Sequence, residues 1–137
     1  MNMNIDSIQN GIVIDHITAG KGLRIYSLLG LDQTDVSVAM IRNVHSSKMG
    51  KKDIIKIDAE MDVNLDVIGY VDPGATVNII RNGVLSEKRS IPAPEFLKGV
   101  IRCKNPRCIT STEQELPHVV RRWGNIYRCV YCETKAE

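Results

Sequence analysis

The sequence predicts an α+β protein of two unlike parts: an N-terminal antiparallel sheet carrying two helices, and a small all-β C-terminal module organised by a metal ion. Three observations predict it. Short apolar, β-branched runs are interspersed with two segments of helical period over residues 11–88. A proline-bearing break, Ser90-Ile-Pro-Ala-Pro94, follows them. All four cysteines of the 137-residue chain then fall within its last 35 residues, as Cys103-x4-Cys108 and Cys129-x2-Cys132 with twenty residues between the pairs.

Gly11-Ile-Val-Ile-Asp-His-Ile17 reads as the first strand. Residues 23–29 place apolar side chains at 23, 25, 28 and 29, which suits a short amphipathic helix stopped by Gly30. Residues 36–42 alternate as a second strand, and a polar loop is expected over 45–52. Residues 53–58 form a third strand, and 62–70 a second helix ended by Asp72-Pro73-Gly74. Residues 75–81 and 84–88 flank Asn82-Gly83, a dipeptide suited to a two-residue hairpin turn. The order β-α-β-β-α-β, with one further hairpin strand, is that of a ferredoxin-like sheet with both helices on one face.

Prolines at 92 and 94 favour a stiff, extended connector, which places a boundary between a domain of residues 1–93 and one of 94–137. In the second domain, residues 100–102 with the first cysteine pair, and residues 127–131 around the second, read as β-hairpins.

Composition bounds the function. Aromatic residues make up only 4%, so the cores are built from Ile, Val and Leu. The formal net charge is +2, and four thiolates around one Zn²⁺ remove about two charges, leaving the chain near neutral. General attraction to nucleic acid is therefore not expected. No apolar run approaches the ~20 residues of a membrane span, and the N-terminus lacks the basic and apolar regions of a signal peptide. The expected compartment is the reducing cytosol, where disulfides are rare.

That setting favours zinc over disulfides for the four cysteines. A tetrahedral ion needs four donors converging on one point, and two short thiolate-bearing turns supply them. An all-thiolate shell leaves no open position, so the ion is structural. His118 lies between the pairs but is not needed as a ligand, and reads as a surface histidine beside Pro117. Arg102, Lys104, Arg107, Arg121, Arg122 and Arg128 suit a nucleic-acid or a protein partner alike. Trp123 and Tyr127 could stack on bases, but Trp123 is expected to fill the small core. A zinc-ribbon-like module of this kind is a binding device.

In the larger domain, Asp15-His16, Lys56 and Lys88 interrupt apolar strands. Alternation alone would put them on a solvated sheet face. Chemically, a carboxylate can hold ribose hydroxyls and lysines can meet carbonyl and phosphate oxygens. Neither GxxxxGK[ST] nor GxGxxG is present, so a nucleotide would bind outside those schemes, and no nucleophile is paired convincingly with a base.

Taken together, these segments resemble the regulatory chain of aspartate carbamoyltransferase over residues 5–132. The resemblance is carried by Gly11-Ile-Val-Ile-Asp-His-Ile17, Met49-Gly-Lys-Lys-Asp-Ile-Ile-Lys-Ile57, Ala75-Thr-Val-Asn78, Cys103-Lys-Asn-Pro-Arg-Cys108 and Cys129-Val-Tyr-Cys132. It implies a non-catalytic subunit of a pyrimidine-biosynthetic enzyme. Its N-terminal domain would bind effectors, with CTP inhibiting, UTP assisting and ATP activating. Its zinc domain would dock on the catalytic chain, and two regulatory chains would pair as a homodimer. By similarity, Asp15 faces the ribose, His16 the phosphates, Lys56 the ribose and a base carbonyl, and Lys88 the triphosphate. Ile8 and Val13 line the base site, and Asn78 and Ile80 match further pocket positions. Cys103, Cys108, Cys129 and Cys132 match the zinc ligands, while Asn105 and Arg107 lie in the docking loop. Two positions depart from the family pattern: Gly83 replaces a tyrosine, and Asn2 stands near a usual lysine. The alternative reading is a stand-alone zinc-ribbon protein that binds nucleic acid through its arginines.

Overall fold

The computed structural model describes residues 8–137, so Asn2 lies outside the described residues. The chain divides into two compact units between Ala93 and Pro94.

In the first unit, β1 (Gly11–Thr18), β2 (Val38–Ser46), β3 (Gly50–Ile57), β4 (Thr76–Arg81) and β5 (Val84–Ser90) form one sheet in the order β2-β3-β1-β4-β5. Every neighbouring pair is antiparallel. Helices α1 (Gly22–Leu28) and α2 (Leu65–Val71) connect the strands, and a short 3₁₀ turn at Leu31–Gln33 follows α1. Ile12, Ile14 and Ile17 of β1, Ile55 and Ile57 of β3, and Val77 of β4 are buried with Ile25 and Ile68 of the helices in one aliphatic core. The opposite face carries a smaller cluster, Ile8, Val13 and Ile54, with Val44 and Ile80 packed against it.

A bulge sorts β1 between these faces. Strict alternation from Ile12 and Ile14 would turn Ile17 outward. The register against β3 shifts between Ile14 and Ile17, and Ile17 is fully buried in the core. The extra residue falls at Asp15-His16, with His16 at φ 57. A second shift, between Ile41 and Val44 of β2, places Asn43 at φ 59.

The buried Asp53 carboxylate braces this region by accepting the N–H groups of Gly20 (3.0 Å), Gly22 (2.9 Å) and Asn43 (3.0 Å). Gly22 must lack a side chain there, because a Cβ would stand 2.8 Å from Asp53 Oδ2. Helix α2 begins at Leu65, three residues later than its apolar pattern predicts, because Asn64 caps it by accepting the Asp66 N–H at 3.1 Å.

The polar loop expected over 45–52 is instead the end of a hairpin. Val44 pairs with Lys52, His45 with Lys51 and Ser46 with Gly50, which leaves only residues 47–49 as the turn. Polar side chains concealed strand backbone at a partly exposed sheet end.

The second unit contains β6 (Phe96–Lys98), β7 (Val119–Trp123) and β8 (Ile126–Cys129) in the order β6-β7-β8, again antiparallel. Its buried side chains are Leu97, Ile101, Val120, Tyr127, Cys108, Cys129 and Thr110. The hairpin expected around the first cysteine pair is absent. Residues 100–108 contain no strand and run irregularly between short bends and a turn, and a single helical turn, α3 (Ile109–Thr112), follows. Trp123 does not fill the core: it is 48% exposed, with the Arg128 guanidinium 5.9 Å from its ring centre. Tyr127 is the buried aromatic, its hydroxyl donating to Pro94 O at 2.5 Å.

Candidate functional site

The four cysteine sulfurs converge, all within 4.8 Å of one another. Cys103 and Cys132 Sγ are 3.5 Å apart, and Cys108 and Cys129 Sγ 3.7 Å. A disulfide would need about 2.05 Å. A tetrahedron with metal–sulfur bonds of about 2.3 Å has edges of roughly 3.8 Å, so the sulfurs fit a Zn²⁺-sized ion. Among the described residues this is the one such cluster of His, Cys, Asp or Glu side chains. Its ligands come from the irregular segment before α3, the end of β8 and the turn after it.

Two threonine hydroxyls stand beside the sulfurs. Thr110 Oγ1 donates to Cys108 Sγ at 3.1 Å, and the Thr134 hydroxyl lies 3.2 Å from Cys132 Sγ. The Thr134 contact is the main reason the Cys132 thiol is lowered to about 6. Burial pushes Cys103 up to about 12, against the pull of the Asn105 backbone, and burial also raises Cys129. Gathering four thiolates there therefore requires a cation to compensate their charge.

His118 is not among the converging donors. It is half-buried rather than a surface residue, and its Nδ1 accepts the Cys103 N–H at 2.9 Å. Asn105 holds the turn between the first two ligands: its Oδ1 accepts the Arg107 N–H (3.0 Å), and its carbonyl accepts from Cys108 N (3.1 Å) and Ser111 Oγ (2.8 Å). That order leaves Arg107 exposed at the tip.

In the first unit, the residues singled out in the sequence gather on the face that the helices leave uncovered. Antiparallel partners share a face. Val13 pairs with Lys56 on one side and Asn78 on the other, and Asn78 pairs with Lys88. One cross-strand row therefore reads Lys56, Val13, Asn78, Lys88 over β3, β1, β4 and β5. Ile8 and Ile80 join Val13 in the aliphatic patch beside it. Asp15 pairs with Thr76 two residues along, and His16 Nδ1 lies 3.1 Å from Thr76 Oγ1. Asp15 Oδ1 also accepts the His16 N–H at 2.6 Å, which helps hold the bulge in its left-handed conformation.

One residue of this face was missed. Lys52 Nζ stands 3.0 Å from Asp15 Oδ1. Alternation back from Lys56 through Ile54 carries the signal, but the expected polar loop obscured it. Lys56 is itself only 8% exposed, so it is not the solvated residue that alternation alone implies. The face thus sets three lysines and a histidine against one carboxylate, next to an aliphatic patch. A hollow of about 530 Å³ opens on the helix-bearing side over Val77 and Ile79. Its rim mixes Glu60, Asp62 and Glu87 with Arg81 and Arg89, so a polyanion would meet three carboxylates there, and the lysine row is the better match.

Fold and site together define a two-unit, metal-organised binding protein. Residues 3–92 match the family described as aspartate carbamoyltransferase regulatory chain, allosteric domain, and residues 95–137 match the metal binding domain of the same chain. The chain belongs to the family of aspartate carbamoyltransferase regulatory chains, non-catalytic subunits of a pyrimidine-biosynthetic enzyme. It is similar to the regulatory chain of Clostridium botulinum, with 48% identity over 96% of this chain and 92% of the relative. The Clostridium tetani regulatory chain is also 48% identical, over 96% and 94%. That of Bifidobacterium longum is 43% identical, over 98% and 99%. No helix among the described residues is long and apolar enough to cross a membrane.

Proposed function

We propose that the sheet face opposite the helices binds nucleoside triphosphates, CTP and UTP as inhibitors and ATP as activator, and that the metal unit carries the response to the catalytic chain. The observation that carries this reading is the register row Lys56-Val13-Asn78-Lys88, with Asp15, His16 and Lys52 beside it. An aliphatic patch at Ile8, Val13 and Ile80 accepts a base, a carboxylate suits ribose hydroxyls, and clustered cations suit phosphate oxygens. The exposed Arg107 at the tip of the cysteine turn suits docking on the catalytic chain. The sheet has edge strands at β2 and β5, which supports pairing of two regulatory chains. An effector that favours one quaternary state shifts the equilibrium by its difference in affinity, typically ~1–3 kcal/mol.

The test is calorimetry of the full chain with CTP, UTP and ATP, repeated with Lys88→Ala and followed by assays of the complex with its catalytic chain. Loss of a charge-assisted contact is expected to weaken triphosphate binding about tenfold or more. No binding of any of the three nucleotides, or unchanged binding by Lys88→Ala, would refute the reading.

A further inference from the structure

Between β6 and the first metal ligand the chain has no ladder of its own. Residues 99–103 run irregularly, yet Ile101 within them is buried. Both ends of this segment close on one residue. The Gly99 N–H donates to His118 O at 2.7 Å, and the Cys103 N–H donates to His118 Nδ1 at 2.9 Å. His118 immediately precedes Val119, which pairs with Lys98 at the start of β7. A single side chain therefore ties the first cysteine of the cluster to the sheet that supplies Cys129.

We propose that His118 is a positioning residue of the metal centre, holding the Cys103 backbone so that its sulfur is presented to the ion without His118 becoming a ligand. The donor–acceptor direction supports this. An Nδ1 that accepts an amide proton has its lone pair engaged, and the ring proton then sits on Nε2. The four sulfurs converge without it. Cys103 has the most to gain from such support. Cys108, Cys129 and Cys132 are flanked by α3, β8 and a tight turn, where the Cys129 carbonyl accepts the Glu133 N–H at 2.9 Å. Cys103 alone has irregular chain on both sides, with no helix, strand or tight turn adjoining it. Outer contacts that fix a ligand's orientation change metal affinity by about 10–100-fold when removed.

The test uses the full chain and measures Zn²⁺ affinity by competition with a chromophoric chelator, and the ligand field by Co²⁺ substitution. His118→Leu keeps bulk and removes the acceptor, whereas His118→Asn places an oxygen two bonds beyond Cβ, as Nδ1 is. The expected result is Zn²⁺ binding about 10–100-fold weaker in His118→Leu, near wild type in His118→Asn, and the same four-thiolate Co²⁺ spectrum at saturation in all three proteins. Equal affinity of wild type and His118→Leu would overturn the proposal, as would His118→Asn binding as weakly as His118→Leu. A Co²⁺ spectrum showing a nitrogen ligand that disappears in His118→Leu would overturn it too, by making His118 a ligand.

Discussion

Residues 8–93 enclose a continuous aliphatic core from strands β1 to β4 and two helices, whereas residues 94–137 enclose little beyond Leu97, Ile101, Val120 and Tyr127 around two cysteines. Each fully buried Ile contributes about 1.5–3 kcal/mol relative to exposure. The first unit has many such residues and keeps most of them on one side of its sheet, with only the small Ile8, Val13 and Ile54 cluster on the other. That arrangement frees the other side to carry lysines, a carboxylate and a strained bulge. The second unit is too small to be held by apolar burial alone, and a metal replaces the missing core. Stability in one unit is spread over many side chains; in the other it is concentrated at one point.

Stripping the metal should produce the largest effect. Structural Zn²⁺ supplies about 10–16 kcal/mol of apparent free energy in small modules. Strong chelation or a mercurial reagent is therefore expected to abolish amide protection in residues 94–137 and release the catalytic chain, while the first unit keeps its own melting transition. Retention of the full complex after verified metal loss would break the comparison.

The converse substitution is Ile55→Ala, deep in the first core. It should lower that unit's stability by about 2–5 kcal/mol in urea denaturation and leave chelator-measured metal affinity unchanged. A parallel fall in metal affinity would mean that the units do not fold independently. The smallest effect is expected from Asn64→Ala, which deletes the cap of α2. It should cost about 1 kcal/mol, again confined to the first transition.

Much of this was legible in the strands. The runs at 11–17, 53–58 and 75–81 all became strands close to their expected limits, because β-branched residues buried on a sheet leave little choice of structure. The cysteine pairs announced their cluster through spacing alone. The errors have physical causes. Residues 45–52 look like loop in the sequence because their polar side chains sit on strand ends that contribute pairing rather than burial. Residues 100–108 look like a hairpin because an apolar pair, Val100-Ile101, precedes the cysteine, yet the chain bends there. Hydrophobicity alone points Trp123 to the core, but Val120 and Tyr127 fill it, and the tryptophan meets a guanidinium outside.

The sequence by itself determined which residues are apolar, where turns must fall and that four thiolates needed a common cation, since these follow from local chemistry and spacing. Only the tertiary structure decided which side of the sheet each strand residue occupies beyond the bulges, because one extra residue reverses every position after it. It alone brought Lys52 to Asp15 and the His118 ring to the Cys103 amide. Contacts of that kind depend on register and on the path of a segment between anchors, which no local pattern encodes.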